Sequence, residues 1–295
     1  MHGDSRPVQN PMPPPPNFRR LHFSPKDRIV SFVSEKLFPN ITYTVRNGLI
    51  RGMKRKGGLG FLPAFLARSG SSQAEVAFLR GLELKDKVVY DIGAFQGIMT
   101  LFFSTRAKTV VTYEPHPVHY QRVLENVALN KLTNVRVMNK AVGNVEGALL
   151  LTFDPRMPGA ASGDDNISAQ ITNSISQAAT VEVPVVRLDD DVEQRGLAPA
   201  DFIKIDIEGM ELAALEGMQR ILASRHPALY LEMHGATEQD KREKALQIVQ
   251  YLTRLGYERI HHVETGSRVT ASTTSSIYTG HFYCTEGEKS SCACG

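Results

Sequence analysis

The first strongly apolar strand of the chain ends in Asp91-Ile92-Gly93-Ala94-Phe95-Gln96-Gly97, and the apolar run Ile98 to Phe103 follows it. Glycines at such a strand-to-helix turn let a ligand approach the backbone closely, and the N–H groups at the start of the next helix can bind it. The Gly-x-x-x-Gly spacing differs from the dinucleotide fingerprint, and the carboxylate of Asp91 would repel a pyrophosphate. The turn therefore predicts a nucleotide-type site for a ligand that carries an amine or a sulfonium.

Strand-like and helix-like segments alternate around this turn. The strand-like segments are short and rich in β-branched and aromatic residues, and they comprise Val88 to Tyr90, Val110 to Tyr113, Val135 to Met138, Phe202 to Ile207 and Leu229 to Met233. The helix-like segments have one apolar face, and they comprise Val118 to Asn130, Glu211 to Ala223 and Glu238 to Leu255. The alternation predicts an α/β domain with a mostly parallel sheet that is buried on both faces.

The rest of the sequence divides the chain into four parts. Residues 1–25 contain a proline tract, which predicts a disordered arm, and residues 26–84 predict a helical and irregular extension. The main domain is expected over residues 85–286, and residues 287–295 are expected to form a flexible tail.

One polar segment interrupts the domain. Residues 155–180 are rich in Gly, Ala, Ser, Asn and Asp, and they predict a long loop that covers the site or faces the substrate. Deleting the loop is expected to impair turnover and to spare cofactor affinity. Val181 to Asp189 then return to strand-like residues, among which Pro184 favours an edge strand or an irregular entry over a central strand.

Composition and charge exclude some classes of function. Hydrophobic residues make up 42% of the 295 residues, which excludes a chain that is disordered throughout. The net charge is only +3, so nothing in the balance of charges requires a nucleic-acid partner. A basic run at Arg51, Lys54, Arg55 and Lys56 is interpreted as a solvated linker in preference to a site for phosphate or acidic lipid.

Cysteine content and apolar stretches predict the setting of the protein. The three cysteines all lie near the C-terminus, which is too few and too clustered for a disulfide framework. The sequence shows no signal-peptide pattern and no apolar stretch long enough to span a membrane. We therefore expect a cytoplasmic protein.

An acid closes the second strand about twenty residues after the turn. In folds of this kind, the position held by Glu114, with Pro115 behind it, accepts hydrogen bonds from both hydroxyls of a ribose. Glu114 and the glycine turn together favour an adenosine-containing ligand over the alternative of two ordinary acids at strand ends.

Two further strand ends carry charged residues. Lys204, Asp206 and Glu208 alternate along an otherwise apolar strand, where charges are costly unless they are paired or used. A structural ion pair of Lys204 with a carboxylate and a catalytic role remain open alternatives. His234 closes the following strand and is either a structural histidine or a proton acceptor or metal ligand beside Asp206.

Taken together, these motifs resemble the FkbM family of S-adenosylmethionine-dependent methyltransferases. The resemblance spans about 85 to 235 and is carried by five segments, namely Asp91 to Gly97 with Thr100, Tyr113 to Pro115 with Glu125-Asn126 and Leu129-Asn130, Asn139 to Gly143, Val183 to Asp189, and Ile203 to Glu211. The last segment is the most specific, because an acid-x-acid-Gly-x-Glu strand end after a lysine is rarely met elsewhere.

The resemblance implies a Rossmann-like class I methyltransferase fold with a seven-stranded sheet and S-adenosylmethionine as the cofactor. It also implies a set of cofactor-binding residues, namely Asp91, Gly93, Ala94, Phe95, Gly97, Glu114, Pro115, Lys140, Ala141 and Asp206. O-Methylation of a small molecule, sugar or natural product is the expected reaction, with a small-molecule or glycan acceptor as the partner. An RNA methyltransferase and a non-catalytic cofactor-binding module remain alternatives.

Asp206, His234 and Lys204 are the candidate catalytic residues. An unperturbed imidazole titrates near ~6.5, so His234 is expected to be neutral at pH 7 and to accept the proton of the acceptor hydroxyl. A divalent cation bound by the carboxylates and the imidazole is the rival hypothesis. The metal-free mechanism is favoured because Lys204 supplies a neutralising charge, and it predicts activity that survives a chelator.

Overall fold

The computed structural model describes residues 40–57, 73–155, 157–175 and 177–287, apart from the side chains of residues 157–160. The predicted arm over 1–25 and all but the first residue of the predicted tail over 287–295 lie outside these ranges. Among the helices within the described ranges, none has both the length and the apolar character needed to cross a membrane.

Strands and helices alternate along the domain, as the sequence predicts. The strands are β1 (Thr42–Thr44), β2 (Lys54–Lys56), β3 (Val88–Ile92), β4 (Thr109–Tyr113), β5 (Val135–Met138), β6 (Ala141–Val142), β7 (Gly147–Asp154), β8 (Met157–Ser162), β9 (Ala179–Val186), β10 (Phe202–Ile205), β11 (Ala228–Glu232), β12 (Arg259–His262) and β13 (His281–Thr285). The helices are α1 (Gln73–Gly81), α2 (Ile98–Ser104), α3 (Pro117–Leu129), α4 (Asp165–Ser174), α5 (Leu188–Gln194), α6 (Glu211–Gly217), α7 (Gln219–Arg225) and α8 (Glu238–Arg254).

A seven-stranded sheet lies at the centre of the domain, with the strand order β12-β13-β11-β10-β3-β4-β5. The five strands from β11 to β5 pair in parallel, and β13 is antiparallel to both of its neighbours. This sheet confirms the predicted α/β, Rossmann-like class I methyltransferase fold.

Different helices cover the two faces of this sheet. Val89 of β3 packs in one cluster with Leu79 of α1 and Leu101 of α2. Tyr90 and Ile92 of the same strand pack in a second cluster with residues of α6, α7 and α8. Because successive side chains of a strand point to opposite faces, the two clusters lie on opposite sides of the sheet. Burial on both sides explains why the central strands are apolar almost throughout.

The longest helix begins and ends within one residue of its predicted bounds. Thr237 is the N-cap of α8, and its Oγ1 accepts a hydrogen bond from the backbone N–H of Asp240 at 3.1 Å. Gly256 follows the helix with a φ of 92°, a left-handed conformation that glycine adopts without strain.

The predicted helix from Glu211 to Ala223 is instead two helices, α6 and α7. Gly217 is the last residue of α6, and a Cβ there would lie only 1.9 Å from the carbonyl oxygen of Gly143. Glycine is therefore required by this close approach, and it is also a poor helix former. The contact brings β6 against the end of α6.

The segment predicted to be a loop contains regular structure, which corrects the prediction for residues 155–180. It includes β8, α4 and the start of β9, and α4 is capped by Asp164, whose Oδ1 accepts from the N–H of Ile167 at 3.0 Å. β8 and β9 pair with β7 in a second sheet of order β6-β9-β7-β8. The composition hid these elements because α4 buries only Ile167 and Ile171 and because β8 depends on pairing with β7.

Pro184 does not lie in an edge strand, contrary to the prediction. β9 lies between β6 and β7. β6 has only two residues, and it pairs with Val185 and Val186. Pro184 is tolerated because the short β6 does not extend alongside it, so no ladder N–H is required there.

A hairpin of β1 and β2 contains most of the basic run. Lys56 Nζ lies 2.7 Å from Glu125 Oε1 of α3, and its backbone N–H donates to Asn126. Arg55 Nη2 donates to Gln96 Oε1 at 2.5 Å. The interpretation of Lys54 to Lys56 as a solvated linker is therefore wrong, because the hairpin packs against α3 and the glycine turn.

Candidate active site

The carboxyl ends of the parallel strands bring the predicted residues to one edge of the sheet. Asp91 of β3 lies beside Thr112 of β4 and beside Lys204 of β10, and Lys204 lies beside Tyr230 of β11. The residues that follow these strands are the turn from Gly93 to Gly97, Glu114, Asp206 and His234. Ligands of parallel α/β sheets bind at this edge.

The turn after β3 has an unusual backbone. Gly93, Phe95 and Gly97 have φ values of 81°, 51° and 82°. A Cβ on Gly93 would lie 1.9 Å from the backbone oxygen of Asp206, so a side chain there has no space. Phe95 adopts the left-handed region despite its side chain, and its N–H donates to Glu114 Oε2 at 2.6 Å. The turn is thus fixed against the ends of both neighbouring strands.

Glu114 is buried beneath this turn, with only 5% of its surface exposed. Its two carboxylate oxygens accept from the backbone N–H groups of Phe95 and His116, at 2.6 and 2.9 Å. Burial raises the pKa of Glu114 to about 8, although the two amide hydrogen bonds oppose the shift. Each carboxylate oxygen keeps a second lone pair that can accept a hydroxyl hydrogen bond.

Hydrogen bonds to backbone carbonyl groups hold the chain around Glu114. Asn139 Nδ2 donates to the carbonyl oxygens of Glu114 and Pro115, at 2.9 and 2.8 Å. The N–H of Ala94, a buried residue, donates to the carbonyl oxygen of Tyr113 at 3.3 Å. Ala94 and Pro115 are thereby placed at the same strand ends as Glu114.

An aromatic cluster beside Glu114 was not predicted. The centroid of the His116 ring lies 4.6 Å from that of His119 and 4.8 Å from that of Phe153. The ring centroids of Phe95 and His119 are 4.4 Å apart. Both ring nitrogens of His116 are buried without a hydrogen-bond partner among the described residues. Burial lowers the pKa of His116, so its neutral ring has one donor and one acceptor. These unsatisfied ring nitrogens beside a buried acid are available for hydrogen bonds with a ligand.

Lys140 has a structural partner. Its Nζ lies 2.8 Å from Asp191 Oδ1, and the same aspartate accepts from Tyr113 and Arg195. Ala141 begins β6, where it pairs with Val185. The adenine contact implied for Lys140 and Ala141 stays a prediction.

Lys204 is a buried cation between two carboxylates. Its Nζ lies 3.3 Å from Asp91 Oδ1 and 3.4 Å from Asp206 Oδ2, and it donates to the carbonyl oxygen of Gly93 at 2.7 Å. Burial alone would lower the pKa of Lys204, but Asp206 and Asp91 outweigh it and raise the pKa. Asp91 also accepts from Thr100 Oγ1 at 2.6 Å. These contacts support the structural ion pair and give Lys204 and Asp91 the role of holding the turn.

His234 lies among four carboxylates. Its Nδ1 is 2.9 Å from Glu211 Oε1. Its Nε2 faces three further carboxylate oxygens at 3.5 to 3.7 Å, which belong to Glu208, Glu232 and Asp206. Burial alone would lower the pKa of His234, but Glu208, Glu211 and Glu232 raise it well above its usual value. The surroundings therefore favour a charged imidazole at pH 7 and do not favour the predicted neutral proton acceptor.

Sequence reasoning gave no role to Glu232, which the structure places in this cluster. Glu232 ends β11, two residues before His234, and this spacing places both residues on one side of an extended chain. Three ligand atoms, one each from Asp206, Glu232 and His234, lie within 4.8 Å of one another, and this arrangement could hold a metal ion. The alternation at the strand end was the available signal.

A family model and several curated proteins match this chain. Residues 91–259, more than half of the chain, match the model of the methyltransferase FkbM domain. The 31-O-demethyl-FK506 methyltransferase FkbM of Streptomyces tacrolimicus is 27% identical over 178 residues, which cover 52% of this chain and 68% of that protein. The hexuronic acid methyltransferase AglP of Haloferax volcanii is 27% identical over 154 residues, which cover 52% of this chain and 59% of that protein.

A solved structure is also similar. The methyltransferase FkbM of Methylobacillus flagellatus aligns with a TM-score of 0.42 and 20% identity, covering 68% of this chain and 43% of that one. Against several of the curated relatives, the chain spans about three fifths of their length.

Proposed function

Because this chain belongs to the FkbM family of methyltransferases, we propose that it methylates a hydroxyl group on a small molecule or a sugar. Membership of the family implies S-adenosylmethionine as the cofactor, whose sulfonium supplies a methyl group for in-line displacement when it is bound. The observation that carries the proposal is the glycine turn fixed onto Glu114, with the acidic cluster of Asp206 and His234 on the neighbouring strand ends.

The turn and Glu114 are proposed to bind the adenosine. Gly93 and Gly97 give the turn its left-handed backbone, and Glu114 keeps lone pairs for the two ribose hydroxyls. His116 offers a neutral ring with unsatisfied nitrogens to the base. Lys204 holds the turn by its bond to the carbonyl oxygen of Gly93, so it is a positioning residue in this proposal.

The acidic cluster is proposed to bind the methyl acceptor. Carboxylates accept hydrogen bonds from hydroxyl groups, so Glu208, Glu232 and Asp206 suit a polyhydroxylated molecule. The names of two relatives refer to a hexuronic acid and to a demethylated form of FK506. By the same reasoning, an anionic acceptor such as a uronic acid would meet like charges here, which favours a neutral acceptor.

The RNA alternative has little support in the described residues. Two basic side chains of the hairpin are engaged, Lys56 on Glu125 and Arg55 on Gln96. A nucleic-acid methyltransferase requires a basic or aromatic face for its substrate. No observation favours a second function over the first.

Cofactor affinity is expected to depend on the ionisation of Glu114. With a pKa of about 8, the carboxyl group is mostly protonated at pH 6 and ionised at pH 9. Ribose hydroxyls bind the ionised form better, so affinity for S-adenosylhomocysteine should rise with pH and level off above pH 8. Below the pKa, the slope should approach about tenfold per pH unit. Calorimetry measures this affinity at several pH values for the native protein and for Glu114→Gln, so the effect of Glu114 is separated from the titration of the ligand itself. Equal pH dependence in the two proteins would contradict the assignment of the titration to Glu114.

The segment over 155–180 is expected to support the acceptor end of the site. Ser162 is buried, and its Oγ donates to the carbonyl oxygen of Glu208 at 2.6 Å. Ser162→Ala should lower kcat/KM for the acceptor about three- to tenfold, the equivalent of one hydrogen bond of about 1 kcal/mol. Affinity for S-adenosylhomocysteine should not change. Thr172→Ala is the control, because Thr172 is exposed on α4 and bonds only within its helix.

Labelled methyl transfer tests the proposed function. The full chain is incubated with methyl-labelled S-adenosylmethionine and fractionated extracts of its source organism, with Glu114→Ala as the control. We expect an alkali-stable label, as an ether has, in a small-molecule or glycan fraction with the native protein alone. Label in RNA would favour the alternative substrate. Binding of S-adenosylhomocysteine without transfer to any fraction would favour a non-catalytic module.

A further inference from the structure

We propose that Asp206, Glu232 and His234 bind a divalent cation of the Mg²⁺ or Mn²⁺ class at the acceptor end of the site. The use of the cation in orienting an acceptor hydroxyl rests on the proposed function, whereas its binding does not. The proposal replaces the metal-free hypothesis derived from the sequence.

The distances between the three ligand atoms suit one ion. His234 Nε2 lies 3.6 Å from Glu232 Oε1 and 3.7 Å from Asp206 Oδ1. Two ligands that are each ~2.1 Å from the same ion are at most ~4.2 Å apart. Both separations fall within that limit, and all three ligand atoms lie within 4.8 Å of one another, so rotations of the carboxylates would bring the three side chains within reach of one cation.

The imidazole is already oriented as a metal ligand. Glu211 is almost fully buried and lies 2.9 Å from Nδ1 of His234, which keeps a proton on Nδ1 and turns Nε2 toward Asp206 and Glu232. A bound cation would replace the proton that Nε2 carries in the charged imidazole. Metal-binding histidines commonly have a carboxylate in this position. His234 is 9% exposed, and its Nε2 forms no hydrogen bond with any residue that the structure describes.

The distances from Nε2 to the carboxylates are longer than those of a direct charged hydrogen bond. A charged N–H group bonds a carboxylate at ~2.7–2.9 Å. The shortest distance from Nε2 to a carboxylate is 3.5 Å, to Glu208. The space between Nε2 and the surrounding carboxylate oxygens therefore fits a bound ion better than a direct hydrogen bond from Nε2 to a carboxylate.

The excess of carboxylates also favours a bound cation. Asp206, Glu208, Glu211 and Glu232 all lie within 3.7 Å of the His234 ring nitrogens. Lys204 is shared between Asp206 and Asp91. A second histidine, His281, lies 3.4 Å from Glu232 but is also bonded to Glu264 at 2.6 Å. Oxygen-rich ligands with a single imidazole favour Mg²⁺ or Mn²⁺ over metals that prefer thiolates.

Direct binding of Mn²⁺ tests the proposal without any cofactor or acceptor. The metal-stripped full chain is titrated with Mn²⁺ and followed by electron paramagnetic resonance. We expect one bound ion per chain, with affinity lowered at least tenfold in Asp206→Asn and in Glu232→Gln. Glu264→Gln is the matched control, since it removes a carboxylate from the neighbouring histidine cluster, and it should bind as the native protein does.

Thermal unfolding confirms that each variant is folded before its binding is compared. Absence of Mn²⁺ binding to the native chain, or equal binding by the native chain and folded Glu232→Gln, would overturn the proposal. Binding of S-adenosylhomocysteine is measured in parallel, so failure of the metal site is distinguished from failure of the proposed function. Where methyl transfer is observed, it should stop in EDTA and return with Mg²⁺ or Mn²⁺, and transfer that persists in EDTA would also overturn the proposal.

Discussion

Gly93→Ala is expected to destabilise the protein by about 2–5 kcal/mol, from the left-handed backbone and the overpacking that a methyl group introduces. The φ of Gly93 is 81°, and a Cβ would lie 1.9 Å from the backbone oxygen of Asp206. A backbone atom cannot move aside as a flexible side chain does. The displaced turn should also lose its affinity for S-adenosylhomocysteine. Urea unfolding measures the first effect, and calorimetry measures the second.

Gly52→Ala is the matched control for this substitution. Gly52 has a similar φ of 90°, but nothing lies within 4 Å of the position that its Cβ would occupy. Gly52→Ala should lose only the stability that the left-handed backbone conformation costs an alanine, about 1–2 kcal/mol, and cofactor affinity should not change. Equal losses at the two positions would show that the contact with Asp206 has no consequence.

Glu114→Ala is expected to weaken the binding of S-adenosylmethionine and S-adenosylhomocysteine by at least about a hundredfold. Affinities are compared at pH 9, where Glu114 is ionised. Hydrogen bonds to a charged group contribute about 1.5–3 kcal/mol each, and the substitution removes the acceptor of two ribose hydroxyls. It also removes the oxygen that accepts from the N–H of Phe95, so the turn loses one of its anchors. Glu146→Ala, which removes an exposed carboxylate, is the control and should bind both ligands normally. Unchanged affinity in Glu114→Ala would remove Glu114 from the site.

The parts of the fold that were predicted from the sequence are those with local signals. The central strands are apolar runs, and α8 has both a Thr237 cap and a terminal Gly256. The glycine turn and Glu114 could be located because strand-end positions follow directly from the strands. Each of these features depends on residues that are close in sequence.

The parts that were missed depend on partners that are distant in sequence. Ser162 at the end of β8 bonds to Glu208, 46 positions away, and the basic hairpin docks through Lys56 onto Glu125, a residue 69 positions away. The contact of the Lys140 ammonium with Asp191, 51 positions away, was not predicted either. A polar composition or a basic run carries no information about such pairings.

The charge of the His234 imidazole also could not be predicted from the sequence. An isolated histidine near pH 7 is neutral, but Glu208, Glu211 and Glu232 come from two different strand ends to surround this one. The effect of each carboxylate depends on burial and distance, which only the tertiary structure specifies. The proposed metal ligands follow from the same arrangement.

Calorimetry of the native full chain with S-adenosylhomocysteine, NAD and ATP tests the central claim most directly. The claim is that the turn from Gly93 to Gly97 and the carboxylate of Glu114 form a site for the adenosine of the methyl donor. We expect one molecule of S-adenosylhomocysteine to bind per chain, and NAD and ATP not to bind. Binding of NAD or ATP in the absence of binding by S-adenosylhomocysteine would contradict the account.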